Sequence, residues 1–344
     1  MIEASSAAST AAEVPDAAKL LEVQGLSVTF ADGDRRVRAV RGVSYELGVG
    51  QTLAIIGESG SGKSVSCLAM LGLLPADNVD VGGSVRLRGE EVLGRPERQM
   101  NSLRGPVMGY VFQDPMIALN PSMRVGAQIG EMFRVHRGAT RKEARREAIE
   151  ILGRVGIPRP DERASAYPHE FSGGMRQRVM IAMAVALRPE LLIADEPTTA
   201  LDVTIQAQIL ELLKAIQADT SMGIVFITHD LALAAETADT IAVMYAGRIV
   251  EHGSAQQVYE HPRHPYTAAL LGSRPGVRRG GQRLAPIPGQ APDGTVEAAG
   301  CPFQPRCRHA DALCAEAEPV ERLVQEPAHL VRCHHSEQLD AAGR

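Results

Sequence analysis

Gly57, Glu58, Ser59, Gly60, Ser61, Gly62, Lys63 and Ser64 follow the pattern G-x-x-x-x-G-K-[ST], which turns backbone N–H groups inward around a polyphosphate. Lys63 can reach the outer phosphates and Ser64 can ligate magnesium. Such a loop needs a strand before it and a helix after it. Thr52, Leu53, Ala54, Ile55 and Ile56 are an apolar run fit for a buried parallel strand, and residues 64–74 read as a helix stopped by Pro75. A plain glycine-rich turn, the bland alternative, does not account for that order.

Other residues could act on the same phosphates. Gln113 closes the apolar run 107–113, and an amide at the carboxyl end of a strand can touch magnesium or an attacking water, or simply cap a turn. Asp195 and Glu196 end the strand 190–197; Asp195 suits magnesium, and Glu196 is placed to orient or deprotonate water. Ser172, Gly173 and Gly174 open an apolar helix over 179–187, a second anion site for which this chain's own phosphate loop has no evident use. Phe30, ending the strand 20–30, either stacks on an adenine ring or is an ordinary core aromatic.

These residues require a framework, and the rest of the chain offers one. Alternating apolar residues predict strands over 20–30, with a glycine irregularity, and 40–47, joined by a turn at 31–34, and a further strand over 82–89. Helix formers dominate residues 122–165, and the amphipathic helix 141–152 reads as part of an inserted helical subdomain. Its mixed charges make either a solvated face or a contact for a membrane-embedded partner. A chain of 344 residues can hold one large domain plus a smaller one. The net charge of −5, with Lys and Arg spread along the chain, excludes the basic footprint of a nucleic-acid binder. Residues 1–18 are Ala/Ser-rich with Glu3, Glu13 and Asp16, which predicts a disordered tail and not a signal peptide. No run of about 18 apolar residues occurs, so a soluble, cytosolic protein that does not span the membrane is expected.

Taken together, Gly57 to Ser64, Gln113, Phe171 to Gln177, Leu191 to Glu196, Ala200 to Asp202, and Thr228 with His229 resemble, in order and spacing, the motifs of an ABC transporter ATPase. The resemblance covers about residues 20–260. It implies an α/β P-loop NTPase fold: a mixed sheet with an antiparallel β subdomain and a helical subdomain at about 114–172, within an ATPase domain at 19–260. By position, Lys63 and the loop amides would hold the β- and γ-phosphates, Ser64, Gln113 and Asp195 magnesium, and Glu196 would be the catalytic base. Gln113 would sense the γ-phosphate, His229 clamp it, and Asp202 join two sites across a head-to-tail dimer in which Ser172, Gly173, Gly174 and Met175 serve the opposite chain's ATP. Met175 stands where the family's common signature has a leucine-led L-S-G-G-Q glutamine, and it offers the ribose only van der Waals contact.

Beyond about Gly253, the segments His261 to Thr267, Pro286 to Gly289 and Gly300 to Cys307 resemble the C-terminal extension of dipeptide and oligopeptide importer ATPases, as does the form Phe171 to Met175 of the signature. The resemblance implies a small extension at 261–344 and an ATPase that powers peptide uptake at the cytoplasmic face of the membrane. Its implied partners are a second, different ATPase, two permeases and an extracytoplasmic peptide-binding protein. A nickel or other small-solute importer of the same subfamily, and a non-transport ABC ATPase, are the alternatives. A chromosome or repair ATPase would need a long coiled coil between phosphate loop and signature, where only about 100 residues lie, and a ribosome-acting one normally has two cassettes.

Four of the five cysteines fall in the extension as C-x5-C-x6-C-x18-C: Cys301, Cys307, Cys314 and Cys333. In a reducing compartment such a set points to metal, while Cys67 reads as a small core residue. Structural zinc favours C-x2-C pairs, and none occurs. Wide spacing, and the clusters carried by some members of the resembling group, point to a structural 4Fe-4S centre, with His309, His334 and His335 keeping zinc as the rival.

Overall fold

The computed structural model describes residues 19–75, 77–199, 201–273, 287–292, 299–325 and 328–337. The tail expected at 1–18 lies outside them, as do Ala200 and Pro286.

Strands β1 (Lys19–Asp32), β2 (Arg35–Gly48), β3 (Thr52–Ile56), β4 (Val79–Leu87), β5 (Glu90–Glu91) and β6 (Met108–Val111) are followed by β7 (Leu191–Asp195), β8 (Gly223–Thr228), β9 (Thr240–Tyr245), β10 (Arg248–Ser254), β11 (Arg322–Gln325) and β12 (His329–Val331). One sheet is antiparallel, in the order β2-β1-β4-β5; the other runs β11-β12-β10-β9-β3-β8-β7-β6. Its centre, β9-β3-β8-β7-β6, is parallel. Those strands are continuous apolar runs because both faces are covered. Leu53, Ile55, Ile193, Val225 and Ile227 face the antiparallel sheet and the loop helix, while Ala54, Ile56, Leu192, Ala194 and Phe226 face the other helices. Among the described residues no helix is long and apolar enough to cross a membrane.

Three sequence expectations change in detail. The β1–β2 hairpin closes with the two-residue turn Gly33-Asp34, Gly33 at φ +56°, so both strands run further than the predicted 20–30 and 40–47. A bulge at Gly25 accounts for the irregularity in β1. The helix after the phosphate loop spans Lys63–Met70 and stops well before Pro75. Gly72, at φ +61°, ends it, its N–H donating to Ala69 O and that of Leu73 to Leu68 O, the paired bonds of a glycine C-cap. Strand β6 ends at Val111, leaving Gln113 two residues beyond it.

Helices Val125–Arg137 and Arg141–Arg154 form the helical insertion, the second opened by a capping box between Thr140 and Glu143. The C-terminal segment builds onto the main sheet: β12 pairs with β10, joining His252 to Leu330 and Glu251 to Val331. Glu251, fully buried, accepts hydrogen bonds from Arg263 N (2.6 Å), His264 N (2.9 Å) and His329 Nε2 (2.8 Å).

Candidate functional site

The phosphate loop lies between β3 and the helix Lys63–Met70, and close packing dictates its glycines. A Cβ on Gly57 would sit 2.2 Å from Met244 O, and one on Gly62, at φ +101°, would sit 2.3 Å from Ala39 O. The first turn is thus pressed against β2 and the end of β9. Lys63 is 5% exposed and donates from Nζ to Gly57 O (2.8 Å) and Glu58 O (3.0 Å). Burial lowers its pKa, while Glu196, Asp195 and Glu58 oppose the shift. Ser59 and Gly60 lie at the exposed crest of the loop, and Ser61 beneath it is buried.

Ser64 and Asp195 meet at the base of the loop, Ser64 Oγ donating to Asp195 Oδ1 over 3.0 Å. A hydroxyl and a carboxylate are hard oxygen donors, the set that magnesium takes. Tyr110 Oη donates to Asp195 Oδ2 over 2.8 Å. Burial raises the Asp195 pKa against the pull of these two hydrogen bonds and of Lys63.

Glu196, the residue after β7, holds φ +44°, the left-handed region that a non-glycine residue occupies at a cost. That backbone turns its carboxylate toward the ends of two neighbouring strands. Gln113 Nε2 donates to Glu196 Oε2 (3.2 Å), Thr199 Oγ1 does so (2.8 Å), and His229 Nδ1, beyond β8, stands 3.5 Å away. The His229 contact, first, and Thr199 hold the Glu196 carboxyl down at about 2. Reciprocally, Glu196 raises the His229 pKa. The ends of β3, β6, β7 and β8 therefore bring Lys63, Ser64, Gln113, Asp195, Glu196 and His229 together. Tyr110 and Thr199 are additions that the sequence reading lacks: Tyr110 lies inside the apolar run 107–113, and its one signal is its polar tip in the segment that ends at Gln113.

Ser172 to Gly174 belong to a different element. Ser172 caps the helix Gly173–Val185, its Oγ accepting from Met175 N over 3.4 Å. A Cβ on Gly174 would meet Ile205 Cγ2 at 2.8 Å, so the signature backs onto the helix Val203–Thr220 that Asp202 caps through Ile205 N (2.9 Å). Met175 packs part-buried against the core. Phe30 sits within β1 opposite Val37 and Val79, part-buried against the core of the antiparallel sheet.

In the C-terminal segment Cys301, Cys307, Cys314 and Cys333 converge. Burial, first, and the charges of its fellow thiols raise the pKa of Cys333 to about 12, and burial with its neighbours raises that of Cys301 to about 11. Backbone N–H groups point at the sulfurs: Phe303 and Gln304 at Cys301, His309 at Cys307, and His335 at Cys333 over 3.4 Å. Among the described residues, the group whose ligand atoms all lie within 4.8 Å of one another is Asp311, Cys314 and His335; three sulfurs nowhere draw that close. Cys67, wholly buried, lies within the loop helix itself and packs in the other core cluster.

Residues 40–199 match the family described as ABC transporter, and residues 250–314 the one described as oligopeptide/dipeptide transporter, C-terminal region. The chain is 49% identical to the oligopeptide transport ATP-binding protein OppD of Salmonella typhimurium, over 94% of this chain and 96% of that protein. It is 47% identical to the dipeptide transport ATP-binding protein DppD of Bacillus subtilis, over 92% and 94% respectively. Among solved structures, the dimeric ATP-binding cassette MJ0796 bound to ADP and Pi superposes with TM-score 0.61 at 26% identity, covering 69% of this chain and 99% of its own. The cbiO1 cassette of Clostridium perfringens gives 0.60 at 27%, covering 71% and 91%.

Proposed function

This chain belongs to the ABC transporter family, in the branch of oligopeptide and dipeptide transport ATP-binding proteins, and from that membership we propose how its residues divide the work of a peptide importer's ATPase. The protein is the ATP-hydrolysing subunit. Lys63 and the loop amides of Gly57 to Ser64 bind the β- and γ-phosphates. Ser64 and Asp195, with Gln113, hold magnesium, which when bound neutralises phosphate charge. Glu196 takes the proton of the attacking water, Gln113 and His229 fixing where that water and the γ-phosphate sit. Phe30 borders the adenine. The observation that carries this reading is the convergence of Gln113 and His229 on the Glu196 carboxylate, set on its left-handed backbone beside the Ser64–Asp195 pair.

Ser172, Gly173, Gly174 and Met175 serve the ATP of an opposing ATPase, and Asp202 links the two sites. A signature seated on a separate helix supports this, as does Val203, 82% exposed beside Asp202. The related cassette MJ0796 is dimeric. We assign the opposing subunit to a second, different ATPase. Two permeases dock near Phe112, Met116 and Ile117, exposed apolar residues flanking Gln113, and a binding protein delivers the peptide. The chain thus works at the cytoplasmic face of the membrane, its ATPase functions in 19–260 and the extension in 261–344.

Cys301, Cys307, Cys314 and Cys333 hold a 4Fe-4S cluster in this proposal. Backbone N–H groups aimed at three of the sulfurs suit thiolates. In a cubane each thiolate binds a different iron, so four cysteines supply a full ligand set, whereas the group Asp311, Cys314 and His335 within 4.8 Å is the one a single zinc ion would take. The test of the whole reading is co-expression with the neighbouring permeases, second ATPase and binding protein. Peptide-stimulated ATP hydrolysis in membranes is expected, with the isolated chain mostly monomeric and weakly active. Full peptide-independent hydrolysis by the chain alone overturns it.

A further inference from the structure

Glu58, in the second position of the phosphate loop, places an acidic side chain beside groups that must attract a polyanion. Its carboxylate is gripped from outside the nucleotide motifs. Arg306 Nη1 donates to Glu58 Oε2 over 2.6 Å and Nη2 to Oε1 over 3.0 Å, a two-point fork. Arg306 is 8% exposed; its Nε donates to Pro288 O (2.8 Å), Nη1 also reaches Tyr245 Oη (3.3 Å), and its guanidinium lies 5.7 Å from the Tyr245 ring centre. The Glu58 amide donates to Tyr266 Oη (2.9 Å), and Tyr266 is itself wholly buried. Tyr245, Tyr266 and Phe303 pack as one aromatic group, ring centres 4.6 to 5.4 Å apart. On its inner side, the Glu58 carbonyl receives Lys63 Nζ.

We propose that Arg306 is a positioning residue for nucleotide binding: it neutralises Glu58 and holds it turned away from the phosphates, so that the loop presents Lys63 and its amides to ATP without an opposing charge. Arg306 sits in the turn Gln304–Arg306 immediately before Cys307, so the cysteine-bearing segment carries the loop's counter-charge. This inference rests on the ATP-binding reading of the phosphate loop and goes beyond it in assigning a nucleotide-binding task to the extension.

The test uses the full chain and calorimetric titration with ATP and with ADP. Wild type and Lys63→Ala come first: binding by the former and not the latter checks the loop assignment separately. Arg306→Gln leaves Glu58 uncompensated and is expected to weaken both nucleotides about tenfold, more steeply at low salt. Glu58→Gln removes the opposing charge while leaving Arg306 in place, and is expected to tighten binding about twofold to fivefold. The double variant should return to within about threefold of wild type. A bracing role without neutralisation predicts the reverse for Glu58→Gln, weaker binding, and no recovery in the double variant; either result overturns the proposal, as does unchanged affinity in Arg306→Gln. If Arg306→Gln does not fold, the sign of the Glu58→Gln effect decides alone.

Discussion

Glu196 Oε2 and His229 Nδ1 stand 3.5 Å apart although they follow different strands, β7 and β8. Their meeting depends on the parallel pairing of Asp195 with Ile227, which sets the two strand ends side by side, and on the left-handed backbone of Glu196. An imidazole and a carboxylate so placed share charge before any nucleotide arrives.

Glu196→Gln keeps the shape of the site and removes the base. ATP binding should be retained while turnover drops on the order of 100-fold, and ATP should then hold the two ATPases together. Steady-state hydrolysis and size-exclusion chromatography of the assembled complex read both effects; hydrolysis at the wild-type rate would show that another group is the base.

The same pair gives a pH signature. Because Glu196 stabilises the imidazolium, the His229 pKa is raised above its ordinary value, and Glu196→Gln should lower it. NMR titration of the His229 ring proton in nucleotide-free protein checks this. For stability the signs run in opposite directions. The depressed Glu196 contributes above the ordinary carboxylate pKa of about 4.3, and the raised His229 contributes in full below the ordinary imidazole pKa of about 6.5. The pair therefore stabilises most between those values; its contribution falls toward pH 2 as Glu196 protonates, and falls again above 6.5 as His229 loses its proton.

Tyr110→Phe removes one donor from the buried Asp195 carboxylate and leaves the ring in place. A lost hydrogen bond to a charged group is worth roughly 1.5–3 kcal/mol at most in such settings. The expected outcome is a magnesium requirement raised about tenfold with kcat at saturating metal within about twofold of wild type. An unchanged magnesium dependence would assign Tyr110 to packing alone.

Anaerobically purified protein should be brown, absorb broadly near roughly 400 nm and hold about four irons per chain. Cys307→Ser should lose the iron and destabilise the C-terminal segment, seen as faster proteolysis there. Colourless protein with stoichiometric zinc, or with no metal, overturns the cluster assignment.

Much of this site could be read from the chain because its parts are local. The phosphate loop, the Asp195-Glu196 pair and the Ser172 cap each sit at a strand or helix end that apolar runs and glycines mark. The contacts that were not legible join distant segments: Tyr110 with Asp195, and Arg306 with Glu58 across 248 residues of sequence. A strand pattern says which side of the sheet Tyr110 faces, not which carboxylate ends the neighbouring strand. Helix length differs from the sequence expectation for a related reason. Pro75 is the stop that composition offers, but the C-cap geometry available to Gly72 closes the helix earlier.

Glu251 carries an implication for how the C-terminal segment is held. Its carboxylate belongs to β10, in the main sheet, yet every donor that satisfies it among the described residues, Arg263 N, His264 N and His329 Nε2, comes from later in the chain. Replacing His329 with a residue that cannot donate, while the segment stays folded over β10, would leave the buried Glu251 carboxylate one partner short, a loss of about 1–3 kcal/mol against a whole-protein margin of about 5–15 kcal/mol. The acid on β10 and its three donors therefore fasten the C-terminal segment to the main sheet from within, so that loosening of that segment and loosening of the β10 edge are one event.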